Sequence, residues 1–324
     1  MCTFNHKLTR IKQILKRILT GLTVPQEYIC VDKNGFQSPP SVFLVIDSVT
    51  TPIDVTDRHV FIGYKPVIIA LILPDLVTRL EKCQHIRLEF RQGVQVIATL
   101  LLQREKTMLI GSTPIIYYVA VNGAHSFLSP FHRLINRLRQ LLKKAKPGNV
   151  ALDGNLYDQV RIVYCVPRVI AVITVGTADN MNMFPTDLHG ALTDEYYISS
   201  LRIGGAATRQ IEGNGKIALA RVDASAFRLV YALGPNHMRE VASHTAFECS
   251  GTTPNFQIPL PLNAVSYREL ERLSSIDIGI HRLHVYRIIS SHRVLSTDST
   301  LAHIHGYYAQ WRINRNIPTH MLLR

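Results

Sequence analysis

The chain has 324 residues, 47% of them hydrophobic, with a formal net charge of +13. That length fits two domains of ~150 residues each, and the apolar share excludes an intrinsically disordered chain. Residues 1–150 hold 20 Lys and Arg against 9 Asp and Glu (net +11), whereas residues 151–324 hold 16 against 14 (net +2), so the basic excess belongs to the first half.

Cys2, Cys30, Cys83, Cys165 and Cys249 are odd in number and widely spaced with no C-x-x-C pair, which argues against a zinc site or a disulfide framework and points to a reducing, cytoplasmic setting. No apolar run reaches the ~18 residues of a membrane span. Lys and Arg interrupt the N-terminus throughout, unlike a signal peptide.

Residues 7–20 place Leu8, Ile11, Ile14, Leu15, Ile18 and Leu19 on one face at helical spacing, with Gly21 as a stop and Lys7, Arg10, Lys12, Lys16 and Arg17 opposite. This is either a helix packed on its own domain or an interfacial helix making peripheral contact with anionic lipid. From 42 to 121, runs at 42–46, 67–73, 85–90, 94–102 and 115–121 are rich in β-branched residues and separated by Pro, Asp and Gly; they predict a mostly antiparallel sheet, with a short helix over 75–82. A degenerate copy of the second half is one alternative for this region, but no internal repeat is convincing. Ser129-Pro130 opens a helix with apolar Phe131, Leu134, Ile135, Leu138, Leu141 and Leu142 and a basic opposite side. Without aromatic or Arg-Gly interleaving, nucleic acid is not the expected partner. Residues 147–157, starting at Pro147-Gly148, read as a linker.

In the second half, Val169–Val175 is an apolar β-branched run ending at Gly176; a polar turn leads to Asn182-Met-Phe-Pro-Thr186, and a second strand-like run, Tyr196–Leu201, closes on Arg202. Gly204-Gly205 enters a short helix, strands follow at 217–222 and 227–232, and Gly234–Val241 reads as another short helix. Residues 264–273 suit helix or strand, 283–289 a strand, and 302–311 a last strand. Two strands bracketing hydroxyl residues with an arginine at the far end suit a flat, anionic ligand.

These residues resemble the flavin reductase-like, FMN-binding split-barrel family. The likeness is carried by Pro167-Arg168-Val169, Asn182-Met183, Ser199-Ser200-Leu201-Arg202 with Thr208, Asp277-Ile-Gly279-Ile-His281, and Ala302-His-Ile-His-Gly306-Tyr-Tyr308, over about 158–312. The first half, on which the likeness is silent, reads by its strand and helix pattern as an α+β domain of unknown role in residues 1–146; the likeness implies an α+β or mainly β fold with an antiparallel split barrel in residues 158–324. It also implies a homodimer and a cofactor, FMN or FAD, reduced by NAD(P)H, the hydride passing from nicotinamide to flavin N5. Cofactor contacts would come from Asn182, Met183, Phe184, Pro185 and Thr186 at the ring, and from Ser199, Ser200, Leu201, Arg202 and Thr208 at the phosphate. His281 and Tyr308 would border the nicotinamide. Strand alternation puts only one of Ser199 and Ser200 toward the ligand. No side chain is expected to act as a catalytic acid, base or nucleophile. The competing expectation is a non-catalytic flavin- or ligand-binding barrel beside a basic lipid- or nucleic-acid-interacting domain, because Ile280 precedes His281 where the family has an acid, and Pro185 has no N–H to donate.

No G-x-G-x-x-G after a strand, G-x-x-x-x-G-K-[ST], H-E-x-x-H or G-x-S-x-G occurs, so no dinucleotide fold, P-loop or nucleophile elbow is expected. His303 and His305 share a strand face, but no cysteine or acidic cluster completes a ligand set, and no metal is expected.

Overall fold

The computed structural model describes residues 21–142, 150–239 and 248–322, apart from 25, 47, 48, 50, 178 and 179. The expected helix over 7–20 lies outside the described residues, as does the end of the one opened by Ser129-Pro130.

The strands are β1 Tyr28–Asp32, β2 Ser41–Val45, β3 Ile53–Asp54, β4 His59–Gly63, β5 Ile68–Leu71, β6 His85–Gln92, β7 Gln95–Ile110 and β8 Thr113–His125. They continue with β9 Arg168–Val169, β10 Ala171–Val175, β11 Asn182–Thr186, β12 His189–Ala191, β13 Tyr196–Arg202 and β14 Lys216–Val222. The rest are β15 Cys249–Thr252, β16 Pro259–Pro261, β17 Ala264–Ile278, β18 His281–Arg293, β19 Leu301–His305 and β20 Met321–Leu322. The α-helices are α1 Val77–Leu80, α2 Pro130–Leu142, α3 Leu156–Val163, α4 Ala206–Asn214, α5 Phe227–Ala232 and α6 Gly306–Ile313. The fold is mainly antiparallel β, with two curled seven-stranded sheets.

The first sheet runs β3-β2-β6-β7-β8-β5-β4 and the second β11-β10-β14-β17-β18-β13-β12. Numbered from the start of each half, the two orders are the same. Register agrees residue by residue. In the long hairpins β7–β8 and β17–β18, adding 168 to a first-half number gives its mate: Ala98 opposes His125 as Ser266 opposes Arg293, and Ile110 opposes Thr113 as Ile278 opposes His281. Three β-bulges recur at matched places, leaving Ile97 and Val265, Glu105 and Leu273, and Val121 and Ile289 without a cross-strand mate. Bulges bend and twist a strand locally, so repeating all three gives both sheets the same curl. Both hairpins turn on a left-handed glycine, Gly111 at φ 60° and Gly279 at φ 59°. The chain is a structural duplication, although only Leu102/Leu270, Arg104/Arg272, Ile110/Ile278, Gly111/Gly279 and Tyr118/Tyr286 are identical in the hairpins.

The two halves pack about a local two-fold axis. Their shared core joins Ile62, Ala70, Ile110, Ile115 and Tyr117 to Leu192, Ile198, Ile278, Leu283 and Val285, and each residue in the first set has its mate in the second. Gly111 abuts the Tyr196 side chain across the interface; Gly279 abuts the Lys65 carbonyl and Pro66. A smaller sheet, β20-β1-β19-β9, ties the halves further, with β1 running antiparallel to β19. Helix α3 packs against β7 and β8 of the first sheet.

The structure differs from the sequence expectation in two elements. Residues 227–232 are helix α5, not a strand: Asp223 caps the preceding turn through Ser225 N–H, and only Val230 is fully buried, a helical rather than a strand pattern. The last strand ends at His305, whose ring accepts from Tyr307 N–H and so starts α6, where an unbroken strand to Trp311 was expected. The ambiguous stretch 264–273 is strand, held between β14 and β18.

Candidate functional site

Where the halves meet, a cleft of about 350 Å³ opens beside β11, β13 and β18, within the size range of small-molecule sites. Tyr28 and Tyr64 reach it from the first half and Tyr164 from the segment after α3; the second half supplies Pro185, Thr186, Asp187, Leu188, Ser200, Leu201, Arg202, Tyr231, His237, His281 and His303.

Register builds its polar corner. Arg202 ends β13 opposite His281, which begins β18. Alternation turns Ser199 into the barrel, where its hydroxyl meets Tyr286 Oη at 2.9 Å, and Ser200 into the cleft, 3.2 Å from His281 Nδ1. The His281 ring meets Tyr64 edge-on with centroids 4.7 Å apart. Burial, with the nearby Arg202 charge, lowers the His281 pKa to about 4, so the imidazole is neutral at physiological pH. Its Nε2 is buried without a hydrogen-bond partner among the described residues.

Along one wall, Tyr164 donates to Asp187 Oδ2 (3.0 Å), which also accepts from His303 Nδ1 (2.7 Å), while His303 Nε2 meets Tyr231 Oη at 2.8 Å. Burial alone would raise the Asp187 pKa, but the bonds from His303 and Tyr164 hold it below the usual carboxylate range. Burial pushes the Tyr28 and Tyr164 phenols well up, so both stay protonated.

The other expected site residues are placed differently. The Asn182 amide donates to Gln210 Oε1 (2.7 Å) and the Asn236 carbonyl (3.1 Å), and Asn236 in turn donates to the Met183 carbonyl (2.9 Å). This clamp fixes the turn carrying His237 against β11. Met183 and Phe184 are buried in separate apolar clusters rather than lining the cleft. Thr208 is buried and donates to the Arg202 carbonyl at 2.9 Å, securing the entry to α4. Tyr308 does not border the cleft: helix α6 carries it into the core of the first half, where it donates to Gln92 Oε1 at 2.9 Å. Sequence reasoning missed Tyr28, Tyr64, Tyr164 and the Asp187–His303 pair, which no local pattern marks. Among the described residues no group of His, Cys, Asp and Glu could hold a metal, and no helix is long and apolar enough to cross a membrane.

The donor set fits a flavin. A phosphate tail needs a cation and a hydroxyl; Arg202 and Ser200, both lining the cleft, provide them on the same strand face. The aromatic walls suit a flat ring, and His281 Nε2 offers an unspent polar atom.

No protein-family model matches the sequence, and no curated protein matches it. Among solved structures, an FMN-binding protein from Thermus thermophilus with bound 1-cyclohex-2-enone is 21% identical and aligns over 47% of this chain and 80% of its own, at a TM-score of 0.38. An NADH:FAD oxidoreductase of Streptomyces globisporus is 13% identical over 50% of this chain and 96% of its own (TM-score 0.42). The styrene monooxygenase flavin reductase of Pseudomonas putida is 16% identical over 44% and 90% (TM-score 0.38). Each spans about half of this chain.

Proposed function

We propose that the chain is a flavin-binding oxidoreductase of the flavin reductase type, holding one FMN or FAD in the interfacial cleft and accepting hydride from NADH or NADPH. The observation that carries this reading is the corner where Arg202, Ser200 and neutral His281 face a tyrosine-walled cleft between two duplicated barrels. When bound, the flavin supplies the hydride-accepting atom. The chain's part is to grip the phosphate with Arg202 and Ser200, to flank the ring with Tyr64 and Pro185, and to keep water out.

The first half stands where a second subunit would stand in a homodimer. At the two-fold-related place Ser200 becomes Ile72, Arg202 becomes Pro74 and His281 becomes Thr113. Without the cation or the imidazole, that place holds no flavin. Light scattering is therefore expected to give a single 36.5 kDa chain carrying one flavin; two flavins per chain would contradict it.

The absorption spectrum of the protein as isolated tests flavin binding, and anaerobic bleaching by NADH or NADPH tests reduction. A yellow protein that neither nicotinamide bleaches would support the non-catalytic reading, which Ile280 beside His281 favours. Arg202→Ala is expected to weaken FMN roughly 10- to 150-fold, the value of a charge-assisted bond of ~1.5–3 kcal/mol, while leaving riboflavin affinity almost unchanged. Equal losses for both ligands would remove Arg202 from the phosphate.

A further inference from the structure

The duplication shows where the two barrels have diverged outside the flavin cleft. At one mouth of the first barrel, Phe90, Ala98 and Leu100 are fully packed, and α3 covers them, with Ile162 and Gln159 closed against Gly123. The matched positions in the second barrel are Arg221, Ser266 and Arg268, with Ser291 in place of Gly123. Here the barrel end is a cavity of about 300 Å³. Where the first barrel has two core hydrophobics the second has two arginines, and where the first mouth is filled the second is open.

Neither guanidinium meets a carboxylate among the described residues. The Arg221 side chain makes no hydrogen bond or ion pair among the described residues, its ladder pairing being backbone only. Arg268 lies over the Tyr197 ring, 5.2 Å from its centroid, with Nε buried and without a partner. Among the described residues the one carboxylate lining the cavity, Asp298, is held at 2.7 Å by Arg293, which also binds the carbonyls of Leu295, Ser296 and Thr297. Arg221 opposes Ser266, and Arg268 opposes Leu219 two residues along, so the arginines are diagonal neighbours, roughly 7–8 Å apart at Cα. Two partly buried like charges at that spacing repel and lose hydration unless an anion sits between them. The crowding is felt beyond the pair: burial and then the Arg221 charge lower the pKa of Lys33.

We propose that this mouth is a second ligand site, taking a small oxyanion, a phosphate or carboxylate group, between Arg221 and Arg268. Ser266 and Ser291 add hydroxyls at the same opening. Guanidinium forks suit the paired oxygens of such groups. The site is independent of the flavin reading, because the barrel wall rather than the interface between halves forms it.

The test uses the full chain carrying Arg202→Ala, so that the cleft arginine cannot be the source of any anion binding. Thermal unfolding and calorimetry are followed with sodium phosphate and, separately, sodium succinate, against sodium chloride at equal ionic strength. The expected result is a midpoint several degrees higher with phosphate or succinate than with chloride; the stronger of the two identifies the group preferred. Arg221→Phe and Arg268→Leu, which install the residues of the first barrel, are each expected to weaken the effect at least tenfold. Should those variants fail to fold, Ser266→Asp places a carboxylate between the arginines and is expected to abolish anion binding while keeping the midpoint in chloride. Equal midpoints in all three salts, or binding that survives Ser266→Asp, would overturn the proposal.

Discussion

Gly279→Ala is expected to destabilise the chain by about 2–5 kcal/mol, and its two-fold mate Gly111→Ala by only about 1–2 kcal/mol. Both glycines have the same left-handed backbone, φ 59° and 60°, and any L residue there pays ~1–2 kcal/mol. What differs is the neighbour. A Cβ on Gly279 would lie 2.4 Å from the Lys65 carbonyl oxygen and 2.5 Å from Pro66 Cδ, backbone and ring atoms that cannot swing aside. A Cβ on Gly111 would meet the hydroxyl end of Tyr196, 2.7 Å away, and that side chain can rotate. Overpacking of the rigid kind adds ~1–3 kcal/mol. Because His281 lies two residues beyond Gly279 and faces Tyr64, Gly279→Ala is also expected to disturb the cleft, whereas Gly111→Ala leaves it intact. Denaturant midpoints with unchanged slopes measure the first effect. Equal losses from the two substitutions would mean that the interface is not held as rigidly as the contacts require.

Acid is expected to unfold the protein well above the range where carboxylates titrate. Burial lowers His59, His189, His281 and His284 to about 4. His59 and His189 are two-fold mates on the facing strands β4 and β12, bonded to the Val55 and Val169 carbonyls at 2.8 and 3.0 Å. An unfolded histidine titrates near 6.5, so between pH 6.5 and 4 the unfolded chain binds more protons and stability falls with pH. The contribution is complete above 6.5 and is lost as pH drops toward 4. One such group is worth about 3 kcal/mol over the whole window; four together rival a domain's total of ~5–15 kcal/mol. Asp187 acts in the same direction but in a lower window, since a depressed carboxylate loses its contribution only on acidification below its ordinary value near 3.8. Between pH 7 and 5 the histidines therefore act nearly alone, and a loss of ~5 kcal/mol or more is expected from denaturant titrations. A flat profile over that interval would show that these rings are hydrated in solution. His59→Asn should remove about one proton from the slope.

The strands were largely readable because their signal is local. The runs at 42–46, 67–73 and 169–175 bury alternate or continuous β-branched faces, as β2, β5 and β10 do. Ser129-Pro130 marked the start of α2 in the same way. Residues 227–232 and 306–313 misled because short apolar stretches suit either state, and the deciding interactions are caps, Asp223 and His305, outside the stretches themselves. Tyr308 followed α6 into the first core for that reason.

By itself the sequence determined most of the strands and where the chain turns, since these follow from neighbours a few residues apart, whereas the meeting of Ser200 and Arg202 with His281, 81 residues beyond Ser200, is set by the β13–β18 register. Only the tertiary structure decided that the first half repeats the second, that Tyr28 and Tyr64 face His281 and Arg202, and that Arg221 and Arg268 stand where Phe90 and Leu100 do. Strand order, register and bulge position specify a barrel through which faces are buried, and many residue choices satisfy the same burial, so the repeat survives in geometry where identity has been lost.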